Sequence, residues 1–83
     1  MINLTKQRLR FTFPSELITE PLIYLLGRNF NVVTNIRRAN VEGDKGWVIL
    51  EIEGKDEDIE RGVNWVKENG VRVDPVIGDV IEG

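Results

Sequence analysis

Between Arg8 and Phe13 the chain alternates without a fault: Leu9, Phe11 and Phe13 fall on one side, Arg8, Arg10 and Thr12 on the other. A two-residue period of this kind belongs to a β-strand with one face against a core and the other toward water. Residues Trp47 to Glu53 repeat the pattern, with Val48, Leu50 and Ile52 directed at the core and Trp47, Ile49, Glu51 and Glu53 on the opposite face. Two large apolar side chains, Trp47 and Ile49, are therefore expected to be exposed in a single copy. A chain of 83 residues makes one domain. A domain of that size buries only roughly 60–65% of the surface of its unfolded chain, so packing against a second copy would help it.

Helical spacing fills the intervals between these strands. After Pro14 and Ser15 end the first strand, a helix is expected with Thr19 as its cap, Glu20 and Pro21 in its first turn, and a buried stripe of Leu22, Ile23, Leu25, Leu26 and Phe30. A second helix starts at the N-cap Asp56 and buries Ile59, Gly62, Val63 and Val66, with acidic residues meeting the positive end of its dipole. Gly62 on the buried stripe implies close backbone approach, and Trp65, off that stripe, reads as a flank residue covering the sheet edge. Asn69-Gly70 is a left-handed C-cap, after which Val71 to Asp74 forms the last strand, closed by Pro75. Residues 76–83 read as a tail.

The stretch from Val33 to Val41 is the exception to clean patterning. Its two alternating sets each mix apolar with polar residues, as expected of an edge strand with a bulge near Arg37 and Arg38, where the apolar phase moves from Ile36 to Ala39 and Val41. Asn29 to Asn31 turn the chain into it, and Gly43-Asp44-Lys45-Gly46 forms the hairpin turn that leaves it. The element order is β-α-β-β-α-β. Right-handed crossovers place both helices on one face of a four-stranded antiparallel sheet, an α+β ferredoxin-like sandwich whose other face carries Arg8, Arg10, Trp47, Ile49, Glu51 and Arg72.

Composition removes most chemistry. Without cysteine or histidine there is no disulfide, thiolate nucleophile, imidazole base or soft metal ligand. Glu51 and Glu53 share a strand face as a catalytic carboxylate pair would, but nothing in the sequence desolvates them. The cluster Glu53, Asp56, Glu57, Asp58 and Glu60 lacks the alternating ligand loop of a calcium site. Neither an enzyme nor a cofactor is expected. No apolar run approaches the ~20 residues that span a membrane, and the first residues lack a secretory signal, so cytoplasm is the expected location. The net charge of −3 is split: residues 1–41 carry six Lys/Arg against two Asp/Glu, and residues 42–83 carry five against twelve. These are two solvated faces, or charges neutralised within the fold or across a dimer. Lys45-Gly46-Trp47 has the start of a base-stacking sheet signature, but the second aromatic is Ile49, and Glu51 and Glu53 would repel phosphate. Nucleic acid is not an expected partner.

Taken in order, Arg8-Leu-Arg-Phe-Thr-Phe, Thr19-Glu-Pro-Leu-Ile, Asn35-Ile-Arg, Gly46-Trp-Val-Ile-Leu-Glu-Ile, Gly62-Val-Asn-Trp-Val and Gly70-Val-Arg-Val resemble a NIL domain over about residues 8–76. This is the small ACT-like regulatory domain at the C-terminus of methionine ABC-transporter ATPases. The resemblance implies a homodimer that binds an amino acid such as methionine at its interface, with Asn35 as the ligand-binding Asn of the Asn-Ile-Leu signature, Val41 near the ligand, and Ile36 and Ala39 on the apolar side of the pocket. Arg37 departs from the signature, standing where the family has Leu. Its guanidinium would either meet a ligand carboxylate in bidentate fashion or fill the apolar pocket and abolish methionine binding. No Gly-rich phosphate loop is present. The chain is therefore expected to act as a stand-alone regulatory module that signals to a protein partner yet to be identified. The alternative is a structural interaction module that binds no ligand and uses Trp47 and Ile49 as its interface.

Overall fold

A computed structural model describes residues 4–15 and 21–77. The alternating run at the start becomes strand β1 (Thr5–Phe13). It is followed by helix α1 (Leu22–Asn29), strands β2 (Val33–Glu42) and β3 (Lys45–Gly54), helix α2 (Asp56–Glu68) and strand β4 (Arg72–Pro75). The strands form one antiparallel sheet in the order β2-β3-β1-β4. This is the ferredoxin-like sandwich that the element order implied.

The inward halves of the two alternating strands meet the helices. Leu9, Phe11 and Phe13 from β1 and Leu50 and Ile52 from β3 are buried with Leu22 and Leu26 of α1, Ile59 and Val66 of α2, and Val32 and Val71 in the connections. Burying one such side chain contributes roughly 1.5–3 kcal/mol. Between the helices, Phe30 and Trp65 bring their rings to 5.5 Å, so Trp65 is half-buried as a flank residue and packs on the end of α1.

Pairing extends the strands beyond their alternating cores. Thr5 to Gln7 join β1 because they oppose Ile52 to Gly54, and Lys45 and Gly46 belong to β3 rather than to the turn. The hairpin loop is therefore only Gly43-Asp44, with Gly43 at φ 62°, the glycine-first pattern of a type II′ turn. Asn31 takes φ 55° between α1 and β2, a conformation that asparagine tolerates.

The helix starts need two corrections. Thr19 and Glu20 lie outside the described residues, and Pro21 occupies the N-cap position of α1 instead of its first turn. Pro21 has no side-chain hydrogen bond to offer there. In α2 the N-cap is Lys55, whose extended backbone (φ −70°, ψ 149°) ends the preceding segment, so Asp56 is the first helical residue and not the cap. Asp56, Glu57 and Asp58 act on the helix start through charge alone. Asp58 is buried and accepts a 2.7 Å hydrogen bond from Arg61 one turn later. At its other end α2 closes as expected. Gly70 (φ 97°) donates to the Lys67 carbonyl at 2.9 Å, and Val71 donates to that of Val66 at 3.3 Å. Those two bonds are a Schellman cap, and its apolar clasp is the buried pair Val66 and Val71.

Candidate functional site

Strand β2 lies at the edge of the sheet, and nearly every residue along it is exposed. The mixed alternation of its sequence is explained by a change of phase. Up to Ile36 the pairs are Val33 with Glu53, Thr34 with Ile52, Asn35 with Glu51 and Ile36 with Leu50; after it they are Arg38 with Ile49, Ala39 with Val48, Asn40 with Trp47 and Val41 with Gly46. Arg37 is the extra residue of a β-bulge. The bulge keeps Ile36, Ala39 and Val41 on the helix side, and it keeps Asn35, Arg38 and Asn40 on the open side.

On the open side Asn35 sits opposite Glu51, and β1 supplies the next row inward. Arg8 pairs with Glu51 in the ladder and donates a 2.8 Å hydrogen bond to Glu51 Oε2. Lys6 pairs with Glu53. Lys6, Val33, Thr34, Asn35, Glu51 and Glu53 line a cavity of about 170 Å³. The Arg8 hydrogen bond is the largest cause holding the Glu51 carboxyl below its ordinary range; burial opposes it, and the charges of Arg37, Arg8 and Lys6 add to it. A carboxylate held ionised in this way is suited to pair with a cation and poorly suited to donate a proton.

The residues named from the sequence thus divide between two faces of one strand. Asn35 stands at the polar cavity, whereas Ile36 and Val41 are 54% and 63% exposed on the other side. Val41 lines a second, apolar cavity of about 190 Å³ together with Phe13, Leu22, Tyr24, Trp47 and Val48. Ala39, also exposed, lies between Ile36 and Val41 on that side. Lys6, Arg8 and Glu51 were not picked out as neighbours of Asn35. The two-residue period places Arg8 and Glu51 on the open face, but only the cross-strand register brings them together.

Trp47 and Ile49 are half-buried rather than exposed. The reason is Arg10, which opposes Ile49 in the ladder and lays its guanidinium 4.9 Å from the centre of the Trp47 ring. The large apolar side chains that stand out are Leu4, Tyr24, Val33, Ile36, Val41 and Ile77, three of them on β2. Among the described residues no helix is long and apolar enough to cross a membrane.

Residues 7–75 match the family model described as NIL domain. The chain belongs to the NIL-domain family. NIL domains are regulatory domains of ABC-transporter ATPases. Its fold is shared with the C-terminal domain of an ABC transporter/ATP-binding protein from Enterococcus faecalis, at a TM-score of 0.75 and 18% identity over 89% of this chain and 86% of that one. A de novo designed protein, Foldit4, is similar at a TM-score of 0.57 and 17% identity over 87% of this chain and 92% of that one. None of the curated proteins matches the chain at a significant level.

Proposed function

We propose that this NIL domain is a regulatory module that binds a free amino acid on the open face of its sheet beside Asn35, as a homodimer joined along β2. The observation that carries the reading is the position of Asn35. Its amide makes no hydrogen bond to any described residue, and it lines a small cavity whose wall holds the ion-paired Glu51. An amide donates and accepts, and a carboxylate beside it takes an ammonium group, which is the pair of contacts that an α-amino acid needs. The cavity volume of about 170 Å³ corresponds to roughly six waters of liquid, the scale of a single small metabolite.

The dimer rests on a second observation. An edge strand of ten residues leaves a row of backbone donors and acceptors open to pairing, and exposed Val33, Ile36, Ala39 and Val41 along it add apolar surface. Trp47 and Ile49, half-buried next to that edge, extend the contact onto the open face.

Calorimetric titration with a panel of amino acids tests the ligand. Binding to the native chain, its loss in Asn35→Ala and an unchanged melting curve for that variant are the expected results. No heat and no rise in melting temperature with any amino acid would overturn the reading. For the dimer, sedimentation should give twice the chain mass, and Ile36→Lys with Val41→Lys should return it to one.

A further inference from the structure

At the other end of the open face a second cavity lies beside the Trp47 ring. It measures about 250 Å³, and its lining includes Arg10 and Thr12 of β1, Asn40 and Glu42 of β2, and Lys45 and Trp47 of β3. The ladder explains why these residues meet. Trp47 stands between Asn40 on one side and Thr12 on the other, and Glu42 opposes Lys45 next to the hairpin loop. Arg10 stands opposite Asp74 of β4, but the Asp74 carboxylate is taken by Arg72 at 3.0 Å. Arg10 therefore makes no hydrogen bond or ion pair with any described residue, and neither do the Thr12 hydroxyl and the Asn40 amide. What holds the guanidinium is the Trp47 ring, whose centre lies 4.9 Å away, a contact that gives Arg10 a place without giving it an acceptor.

From this arrangement we infer that the cavity beside Trp47 is a second ligand site, separate from the one at Asn35, and that it takes a small organic monocarboxylate with a flat apolar body. The carboxylate meets the planar fork of Arg10 in bidentate geometry, with the Thr12 hydroxyl and the Asn40 amide as further donors, and the body lies against the indole.

The charge of the lining sets the class of ligand. Arg10 and Lys45 stand against Glu42 alone, a single positive charge in excess, which one carboxylate neutralises. A phosphate monoester, with about −1.5 to −2 charges at neutral pH, would bring surplus negative charge up to Glu42. A neutral ligand would strip water from the guanidinium without giving it a partner, which is costly. The volume of about 250 Å³ corresponds to roughly eight waters of liquid, the scale of one ring bearing one carboxylate.

Benzoate is the probe, with benzamide as its neutral counterpart and inorganic phosphate as the competing anion, each titrated into the isotope-labelled full chain and followed by amide and indole NMR shifts. The protein is kept at the lowest concentration that gives a spectrum, where a second copy is least able to cover the ring. Benzoate is expected to shift the Trp47 indole N–H together with Thr12 and Asn40, and to bind at least about tenfold more tightly than benzamide or phosphate. Arg10→Gln should weaken benzoate by about tenfold and Asn40→Ala by less, with a melting curve on each variant to show that it is folded. Asn35→Ala should leave benzoate affinity unchanged. Benzamide or phosphate binding as tightly as benzoate, shifts centred on Asn35, an affinity unmoved by Arg10→Gln, or no shift up to the solubility limit of benzoate would overturn the inference. Each of those results leaves the amino-acid site beside Asn35 standing, because that site is tested by other ligands and another variant.

Discussion

Gly62 of α2 lies against Leu26 of α1 with no room for a side chain: a Cβ on Gly62 would stand 2.6 Å from Leu26 Cδ1 and 3.4 Å from Phe30 Cβ. Leu26 is fully buried, so it cannot swing away without disturbing the core. Replacing Gly by Ala inside a helix gains about 0.8–1 kcal/mol of intrinsic propensity, while forcing a methyl into a packed interior costs about 1–3 kcal/mol. The contact wins. Gly62→Ala should lose about 1 kcal/mol, a fall of roughly 4–8 °C in melting temperature for a domain of this size, and Gly62→Val should lose more. Gly27 is the control. Its Cβ would meet only the Val32 carbonyl oxygen, at 3.5 Å, so Gly27→Ala should keep about 0.5–1 kcal/mol of the propensity gain. A Gly62→Ala protein that melts higher than the native one would show that the helices are not in this contact.

The Schellman cap of α2 makes a prediction of the opposite kind, one of backbone rather than space. Gly70 holds φ at 97°, where an L side chain costs about 1–2 kcal/mol. Gly70→Ala should lose about that amount by urea denaturation, with the slope of the transition unchanged. A loss near zero would mean that the cap opens without consequence for the fold.

How far the chain can be read without coordinates depends on what each residue answers to. The alternation of Arg8 to Phe13 and of Trp47 to Glu53 reports burial of one face, and that information is local, so β1 and β3 were legible. Gly62 was legible for the same reason: a glycine on a buried stripe has few other uses. The bulge was readable from the phase change between Ile36 and Ala39. The Arg8–Glu51 ion pair was not, because it depends on which residue of β3 stands opposite which residue of β1, and register is a property of the assembled sheet. The half-burial of Trp47 was missed because it comes from Arg10 on a neighbouring strand, whose guanidinium lies over the ring. The division of Asn35 from Ile36 follows from their adjacent positions in the strand, but strict alternation puts Val41 on the same face as Asn35, and only the extra residue at Arg37 moves it to the other.

Glu51 ties the open face to pH. Its folded-state pKa is lowered, chiefly by the Arg8 hydrogen bond, so below the ordinary glutamate range the unfolded chain binds the proton more readily than the folded one. The associated stability is present above that range and is lost as pH falls through the lowered value. Both ends of the pair keep some contact with water, Arg8 at 33% and Glu51 at 19% exposure, so the effect is small against that of all carboxylates together. The difference between two proteins isolates it. From about pH 5 to about pH 3 the melting temperature of the native chain should fall further than that of Glu51→Gln. Equal falls would show that the Arg8 contact does not persist in solution.

Arg10 and Trp47 provide the optical counterpart. The guanidinium 4.9 Å from the Trp47 ring centre covers one side of the indole, a contact worth about 0.5–1 kcal/mol at a partly exposed site. In a Trp65→Phe background, where Trp47 is the sole remaining tryptophan, Arg10→Ala should move the emission to longer wavelength and raise its quenching by acrylamide, with a loss of stability no larger than about 1 kcal/mol. Unchanged emission would mean that Arg10 spends its time in solvent and that the ring is shielded by something else. The same signal reports on association. If a second copy covers this part of the open face, acrylamide quenching of Trp47 in the Arg10→Ala protein should fall as protein concentration rises. It should stay constant in a variant that also carries Ile36→Lys and Val41→Lys on the β2 edge, because those charges block the pairing that would bring the second copy into place.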